Sequence, residues 1–182
     1  VLVGDTGTGK SGLALVLTGK PWEPTESTHG RHVWTFDSHE TILPTGQHET
    51  RETLLWDLAG QPDYRLIHQL YLNEVIVALV VFDASSPIEA FAGVRHWGRA
   101  LHQAYRLQSN ATLALKKFLV AARCDRSGLQ VSRERIDGIL KKFDFDGFFE
   151  TSAREGWQIP ELITAIREGI DWEALPKVNV LF

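Results

Sequence analysis

The chain contains no methionine and a single cysteine, Cys124. One thiol excludes a disulfide-stapled scaffold and suits a reducing compartment, so the expected location is cytoplasmic. No long hydrophobic stretch is present. The longest apolar run, residues 75–82, is less than half of the ~20 residues that cross a bilayer. Positive charge is not in excess either: 19 Lys+Arg against 23 Asp+Glu leave a net charge of −4, which offers no footprint for nucleic acid. No secretion signal or terminal lipidation box is evident, so no direct membrane anchor is expected in this chain. Seven histidines (29, 32, 39, 48, 68, 96 and 102) show no zinc-binding spacing. The missing methionine at position 1 leads us to expect a domain carried within a longer protein. What is present, 182 residues with 43% apolar and 23% charged, suffices for one domain with its own core.

Strand-like apolar runs alternate with amphipathic helical stretches from end to end, which predicts an α/β domain with a mostly parallel sheet. Strands are expected at residues 1–3, 32–36, 53–56, 75–82, 118–121 and 147–150. Helices are expected at residues 10–18, 87–107, 132–143 and 160–170, with a short one near 63–70. Residues 75–82 are apolar at nearly every position, as a central strand covered on both faces should be. Pro160 falls in a first helical turn, where its missing N–H costs nothing. Residues 38–52, polar with Pro44 and Gly46, read as a turn between two strands. Residues 20–31 are too long and polar for a plain connector and read as a functional loop. The domain is placed at residues 1–170. Residues 171–182, whose Trp172, Leu175, Val178, Val180, Leu181 and Phe182 have no evident place in its core, read as an extension or linker.

Three loops carry the chemistry. Gly4-Asp5-Thr6-Gly7-Thr8-Gly9-Lys10-Ser11 fits G-x-x-x-x-G-K-[ST] between a strand and a helix. Backbone N–H groups of Gly7, Thr8 and Gly9 can wrap a phosphate, and the helix N-terminus adds its partial positive charge. Lys10 brings a point charge to the β and γ phosphates, and the Ser11 hydroxyl reaches Mg²⁺. Asp57-Leu58-Ala59-Gly60-Gln61 follows the strand containing Trp56. Its aspartate can hold Mg²⁺, Gly60 lets an N–H approach a γ-phosphate, and Gln61 can orient an attacking water. The third element is split between Arg123-Cys124-Asp125 and Thr151-Ser152-Ala153-Arg154, both after strands, where open α/β sheets bind ligands. The Asp125 carboxylate can accept from guanine N1–H and its 2-amino group, and an N–H near Ala153 can donate to O6.

Together these loops resemble a Ras-superfamily small GTPase domain over essentially the whole chain. The run Leu55-Trp56-Asp57-Leu58-Ala59-Gly60-Gln61 with Tyr64-Arg65 is similar to the Rab-type switch, and Asp83, Phe91, Val94 and Trp97 to the Rab pattern after the central strand. Glu150-Thr151-Ser152-Ala153 is similar to the family's guanine loop, and Thr28-His29-Gly30 resembles the first switch in the form found in Roco proteins. The resemblance implies a P-loop NTPase small G domain, with a six-stranded mostly parallel sheet flanked by helices on both faces. GTP or GDP and Mg²⁺ are the implied cofactors. Residues 20–31 would be switch I and residues 57–71 switch II, read by an effector or a neighbouring domain when GTP is bound. A homodimer is a further expectation of this kind. The implied catalytic set is Gln61, Lys10 and Thr28, and the metal set Ser11, Thr28 and Asp57. The implied nucleotide-binding set is Gly4, Asp5, Thr6, Gly7, Thr8, Gly9, Lys10, Ser11, Gly12, Gly60, Arg123, Asp125, Ser152, Ala153 and Arg154.

Three departures stand out. The family's N-K-x-D is Ala122-Arg123-Cys124-Asp125 here, and its lysine after Ser-Ala is Arg154. Thr6 occupies a P-loop position that is often glycine, so slow intrinsic hydrolysis is expected. Without the asparagine, nucleotide affinity is expected to be micromolar, with Arg123 laid over the base as partial compensation. Two other functions are weighed against a GTPase switch. One is a nucleotide-binding scaffold or dimerisation module with negligible turnover, against which Gln61 and Thr28 speak. The other is an ATPase, kept open by Ala122 and opposed by Asp125. His29 reads as a solvated loop residue, and Cys124 as a small packed one. Arg95, Arg99 and Arg106 read as a solvated helix face. Tyr64, Ile67, Leu70 and Tyr71 read either as a surface for a partner or as cover for the sheet, and the resemblance favours contact with a partner once GTP is bound.

Overall fold

The computed structural model describes residues 1–61, 72, 75–86, 91–107 and 114–177. The expected helix near 63–70, Tyr64, Arg65, Ile67, Leu70, Tyr71, His68, the start of the helix expected from residue 87, and Val178, Val180, Leu181 and Phe182 lie outside these residues. Six strands form one sheet: β1 (Leu2–Val3), β2 (Arg31–Ile42), β3 (His48–Leu58), β4 (Val77–Asp83), β5 (Lys116–Ala122) and β6 (Gly147–Glu150). Their order is β2-β3-β1-β4-β5-β6, with the β2–β3 pair antiparallel and every other pair parallel. The expected six-stranded, mostly parallel α/β sheet is what the chain forms.

Five helices are described: α1 (Lys10–Leu17), α2 (Ala92–Leu107), α3 (Cys124–Ser127), α4 (Arg133–Lys142) and α5 (Ile159–Glu168). The period of two along the central strands divides their apolar side chains between two cores. Ala78, Val80 and Phe82 join Leu119, Ala121, Trp97, Leu101 and Ile136 on the α2 and α4 side. Leu79 and Val81 join Phe118, Val120, Leu13, Leu17 and Leu162 on the α1 and α5 side. This two-sided burial explains why residues 75–82 show no alternation in sequence. Ser132 caps α4 by accepting from Arg135 N, and Pro160 sits at the start of α5. Among the described residues, no helix is long and apolar enough to cross a membrane.

Residues 38–52 correct the expectation of a turn. They belong mostly to the strands of a long hairpin, paired in register from Arg31↔Leu58 to Ile42↔His48, with a bulge between Thr35 and Asp37. The turn itself is short, closed by Leu43 N–H to Gln47 O at 2.9 Å. Both faces of the outer hairpin are largely exposed, so its ladder is held by backbone bonds and cross-strand pairs rather than by buried side chains, and no apolar period marks it. Trp172 and Leu175 also find a place. They line an apolar cavity with Leu54, Val77, Ile166 and Ile170 at the end of the sheet away from the P-loop. Trp172 further meets His39 edge-on and carries the Arg51 guanidinium 5.4 Å over its ring.

Candidate functional site

β1 ends at Val3, and the loop that follows curls around its own carbonyls. Gly4 has φ of 153°, and a side chain there would come within 2.2 Å of Val81 O on the central strand. Only glycine permits that approach. The Asp5 carbonyl accepts from Thr8 N–H at 3.4 Å, Thr8 Oγ1 at 3.0 Å and Lys10 Nζ at 2.8 Å. Gly9, left-handed at φ 98°, leads into α1, which has no side-chain cap and no acidic residue in its first turn. The N–H groups of that turn face the loop, which suits an anion. Lys10 is buried, and burial pulls its ammonium down to about 8; Asp57 and Asp5 oppose the shift, and Arg123 adds to it.

Three oxygens from separate elements converge beneath α1. Ser11 Oγ donates to Asp57 Oδ2 at 2.6 Å and lies 2.7 Å from Thr28 Oγ1. Thr28 Oγ1 donates to the same Asp57 oxygen at 3.2 Å. Two hydroxyl protons cannot serve three such contacts. Asp57 is almost fully buried, and its Oδ1 has no hydrogen-bond partner. Burial pushes its carboxyl above the usual range, against the bonds from Ser11 and Thr28 and the charge of Lys10. A carboxylate with one unpartnered oxygen and two hydroxyls are hard oxygen donors, and this set fits Mg²⁺. Among the described residues, no group of three His, Cys, Asp or Glu side chains could hold another metal.

Gly60 closes the cleft opposite the P-loop. A side chain on Gly60 would come within 2.3 Å of Thr6 N, so the two backbones nearly touch. Gly30 O accepts from Ala59 N–H at 2.9 Å, tying the end of the 20–31 loop to the start of the Gly60-Gln61 segment. Thr6, Gly7, Gly9, Lys10, Ser11, residues 25–28, Gly60 and Arg123 line one common pocket.

The second half of the site lies at the ends of β5 and β6. Cys124 N–H donates to Thr151 O at 3.0 Å, and Thr151 donates to Ala121 O through both its N–H and its Oγ1. These bonds hold the loops bearing Asp125 and Ser152-Ala153 side by side. Ser152 is fully buried and accepts from Glu155 N–H at 3.0 Å. Asp125, Ser152 and Ala153 do not line the pocket at the P-loop, and Arg154 is exposed. Arg123, expected to lie over a base, is held beside the P-loop. Its Nη1 donates to Asp83 Oδ2 at 2.8 Å, and its stem runs along Gly9. Gly12 faces Trp22, whose Nε1 lies 3.2 Å from where a Gly12 side chain would begin. Buried Cys124, its thiol pushed up to about 11 mainly by burial, is a packed residue. His29, Arg95, Arg99 and Arg106 are exposed.

One residue escaped the reading of the sequence, as did the pairing of a second. Trp22, 40% exposed, lies between Gly12 and the Arg154 guanidinium, which sits 5.9 Å over its ring. A lone tryptophan after Pro21 in a polar loop was its only signal. Asp83 was legible as part of the Rab-type pattern after the central strand, but not as the partner of Arg123.

The phosphate cradle and the cation-seeking oxygens at the C-terminal ends of parallel strands define a P-loop nucleotide hydrolase of the small G-domain type. The sequence model of the Ras family matches residues 1–171. The chain is 27% identical over 168 residues to the Ras-related protein Rab-7L1 of Homo sapiens, covering 92% of this chain and 79% of that protein. It is 30% identical over 175 residues to Rab-32 of Sus scrofa, covering 93% and 73% respectively. The chain belongs to the Ras family. It is a GTPase that binds GTP and GDP with Mg²⁺.

Proposed function

We propose that the domain works as a switch in which GTP draws residues 20–31 and the Gly60-Gln61 segment onto the P-loop, where an effector or a neighbouring domain reads them. The observation that carries this reading is the meeting of Ser11, Thr28 and Asp57 on one carboxylate oxygen, with the other oxygen unpartnered. Ser11, Thr28 and Asp57 hold Mg²⁺, which when bound supplies positive charge to the phosphate oxygens. The N–H groups of Gly7, Thr8 and Gly9 bind the phosphates, and Lys10 recovers its full charge against them. Gln61 orients the water for in-line attack on the γ-phosphate, and the Gly60 N–H steadies that phosphate. At the base end, Asp125 accepts from guanine, the backbone near Ala153 donates to O6, and Trp22 with Arg154 forms a wall. Loss of the γ-phosphate frees Thr28 and Gly60, and both segments relax.

Thermal unfolding with Mg²⁺ and GTP, GDP or ATP, together with single-turnover hydrolysis, tests this reading. GTP and GDP should raise the melting temperature and ATP should not. Equal protection by ATP would defeat the guanine assignment. Bound GTP that persists undegraded would favour the scaffold or dimerisation module over a switch that turns over.

A further inference from the structure

We propose that Asp83 is a positioning residue for nucleotide retention, holding the Arg123 guanidinium across Gly9 so that the base loop and the phosphate loop move together. Asp83 ends β4 and is the register partner of Ala122, the residue before Arg123. Both its oxygens are committed. Oδ2 accepts from Arg123 Nη1 at 2.8 Å, while Oδ1 accepts from Ser85 N–H at 2.9 Å and from Ser85 Oγ at 2.5 Å. The carboxylate therefore cannot turn away from the arginine. Burial alone would push its carboxyl up, but the Ser85 bonds and the Arg123 charge outweigh it and hold the group ionised.

Arg123 is left-handed at φ 62°, a conformation uncommon outside glycine and asparagine. It sends the side chain back over the end of β5. Its Nε and Cγ then lie 3.4 and 3.6 Å from where a Gly9 side chain would begin. Ala122 adds only a methyl at 3.6 Å from the same point and has no polar atom with which to tie the loops. The guanidinium is also a second cation beside buried Lys10, whose ammonium it disfavours. Left without Asp83, it would move towards solvent and away from the P-loop. The pair is partly buried, at 30% exposure for Arg123 and 19% for Asp83, where such a charge-assisted bond keeps more of its strength than at an open surface. A guanine nucleotide that bridges the two loops then leaves only when both yield.

The proposal rests on reading residues 122–125 as the base loop, and the experiment separates the two. Release of a fluorescent GDP analogue is followed from the loaded domain for Asp83→Asn, Asp83→Ala, Arg123→Ala and the Asp83→Ala/Arg123→Ala double variant. Asp83→Asn can keep acceptance from Ser85 through its one oxygen, while its NH2 replaces the oxygen that accepts from Arg123, so charge and acceptor are lost there with little change in side-chain shape. Each single change should speed release by about ten-fold, and the double variant should release no faster than the faster single. Asp83→Glu should recover part of the loss. Release should change by a larger factor than the single-turnover hydrolysis step, a split that general destabilisation would not produce. Unchanged release in Asp83→Asn and Asp83→Ala overturns the proposal, as do single effects that multiply in the double variant. Asp125→Ala is the control: unchanged GDP affinity there removes the base-loop reading and this proposal with it, whereas weakened affinity with Asp83 silent removes the proposal alone.

Discussion

At the phosphate end, Ser11, Thr28 and Asp57 meet within 2.6 to 3.2 Å around an almost fully buried carboxylate, and glycine backbones pack where no side chain would fit. At the proposed base end, two loops are stapled to each other by backbone bonds, and they meet the P-loop where the Arg123 side chain, paired with Asp83, and the Ala122 methyl lie against Gly9. The first region is built from backbone shape and burial, so substitutions there meet hard walls. The second depends on long side chains, which can be exchanged at modest cost. That contrast suits a chain with an intact G-x-x-x-x-G-K-S beside Ala122-Arg123-Cys124-Asp125 at the other end.

The largest effect should come from Gly4→Ala. The added methyl would strike the Val81 carbonyl of the central strand, which cannot yield without breaking the sheet. A loss of about 3 kcal/mol or more is expected, seen as a fall in melting temperature of about 8 °C or more. An unchanged melting temperature would show that the wall is soft and would blur the contrast between the two ends.

Asp57→Asn should abolish most of the Mg²⁺ dependence of nucleotide binding, by about a hundred-fold, measured by titration with and without the metal. The ligand-free protein should behave the opposite way. Because burial raises the Asp57 carboxyl above its unfolded value, its contribution to stability is present at acid pH and lost as pH rises through the raised value. The asparagine variant should therefore be at least as stable as the unaltered domain at neutral pH. A less stable ligand-free variant would mean that the carboxylate is fully compensated before any cation arrives.

Lys10 supplies a graded test. Its ammonium is lowered from 10.5 to about 8. The folded form holds this proton less tightly than the unfolded chain, so ligand-free stability should rise with pH from about 8 towards 10.5. Binding an anion reverses the shift, and GDP affinity should fall about ten-fold between about pH 7 and pH 9. Calorimetric titration across that range checks it, and a flat profile would place the lysine in a wetter site than the structure has.

The smallest effect should be Ala122→Asn. With Arg123 already lying between Asp83 and Gly9, restoring an asparagine should slow GDP release by no more than about three-fold. A much larger slowing would show that the ion pair contributes little, and that the base end is simply weaker than the phosphate end.

Much of this was open to inspection in the sequence. The P-loop is contiguous, so its glycines and Lys10 announce themselves together. The continuous apolar run at residues 75–82 marked the central strand, and Pro160 marked a helix start. The outer half of the β2–β3 hairpin was missed because neither of its faces is buried, leaving no period to read. Trp22 was missed because a single aromatic in a polar loop has no pattern at all.

Local order along the chain was enough to specify the alternating strands and helices, the phosphate cradle and the residue types able to hold a divalent cation. These depend on backbone conformation and on the spacing of apolar and glycine residues within a few turns. Which distant groups share a charge or a hydrogen bond was settled only by folding. Ser11 and Asp57 are brought to 2.6 Å, and Arg123 is turned onto Asp83. Such pairings arise from strand order and the local hand of the backbone, and no window of sequence contains both partners.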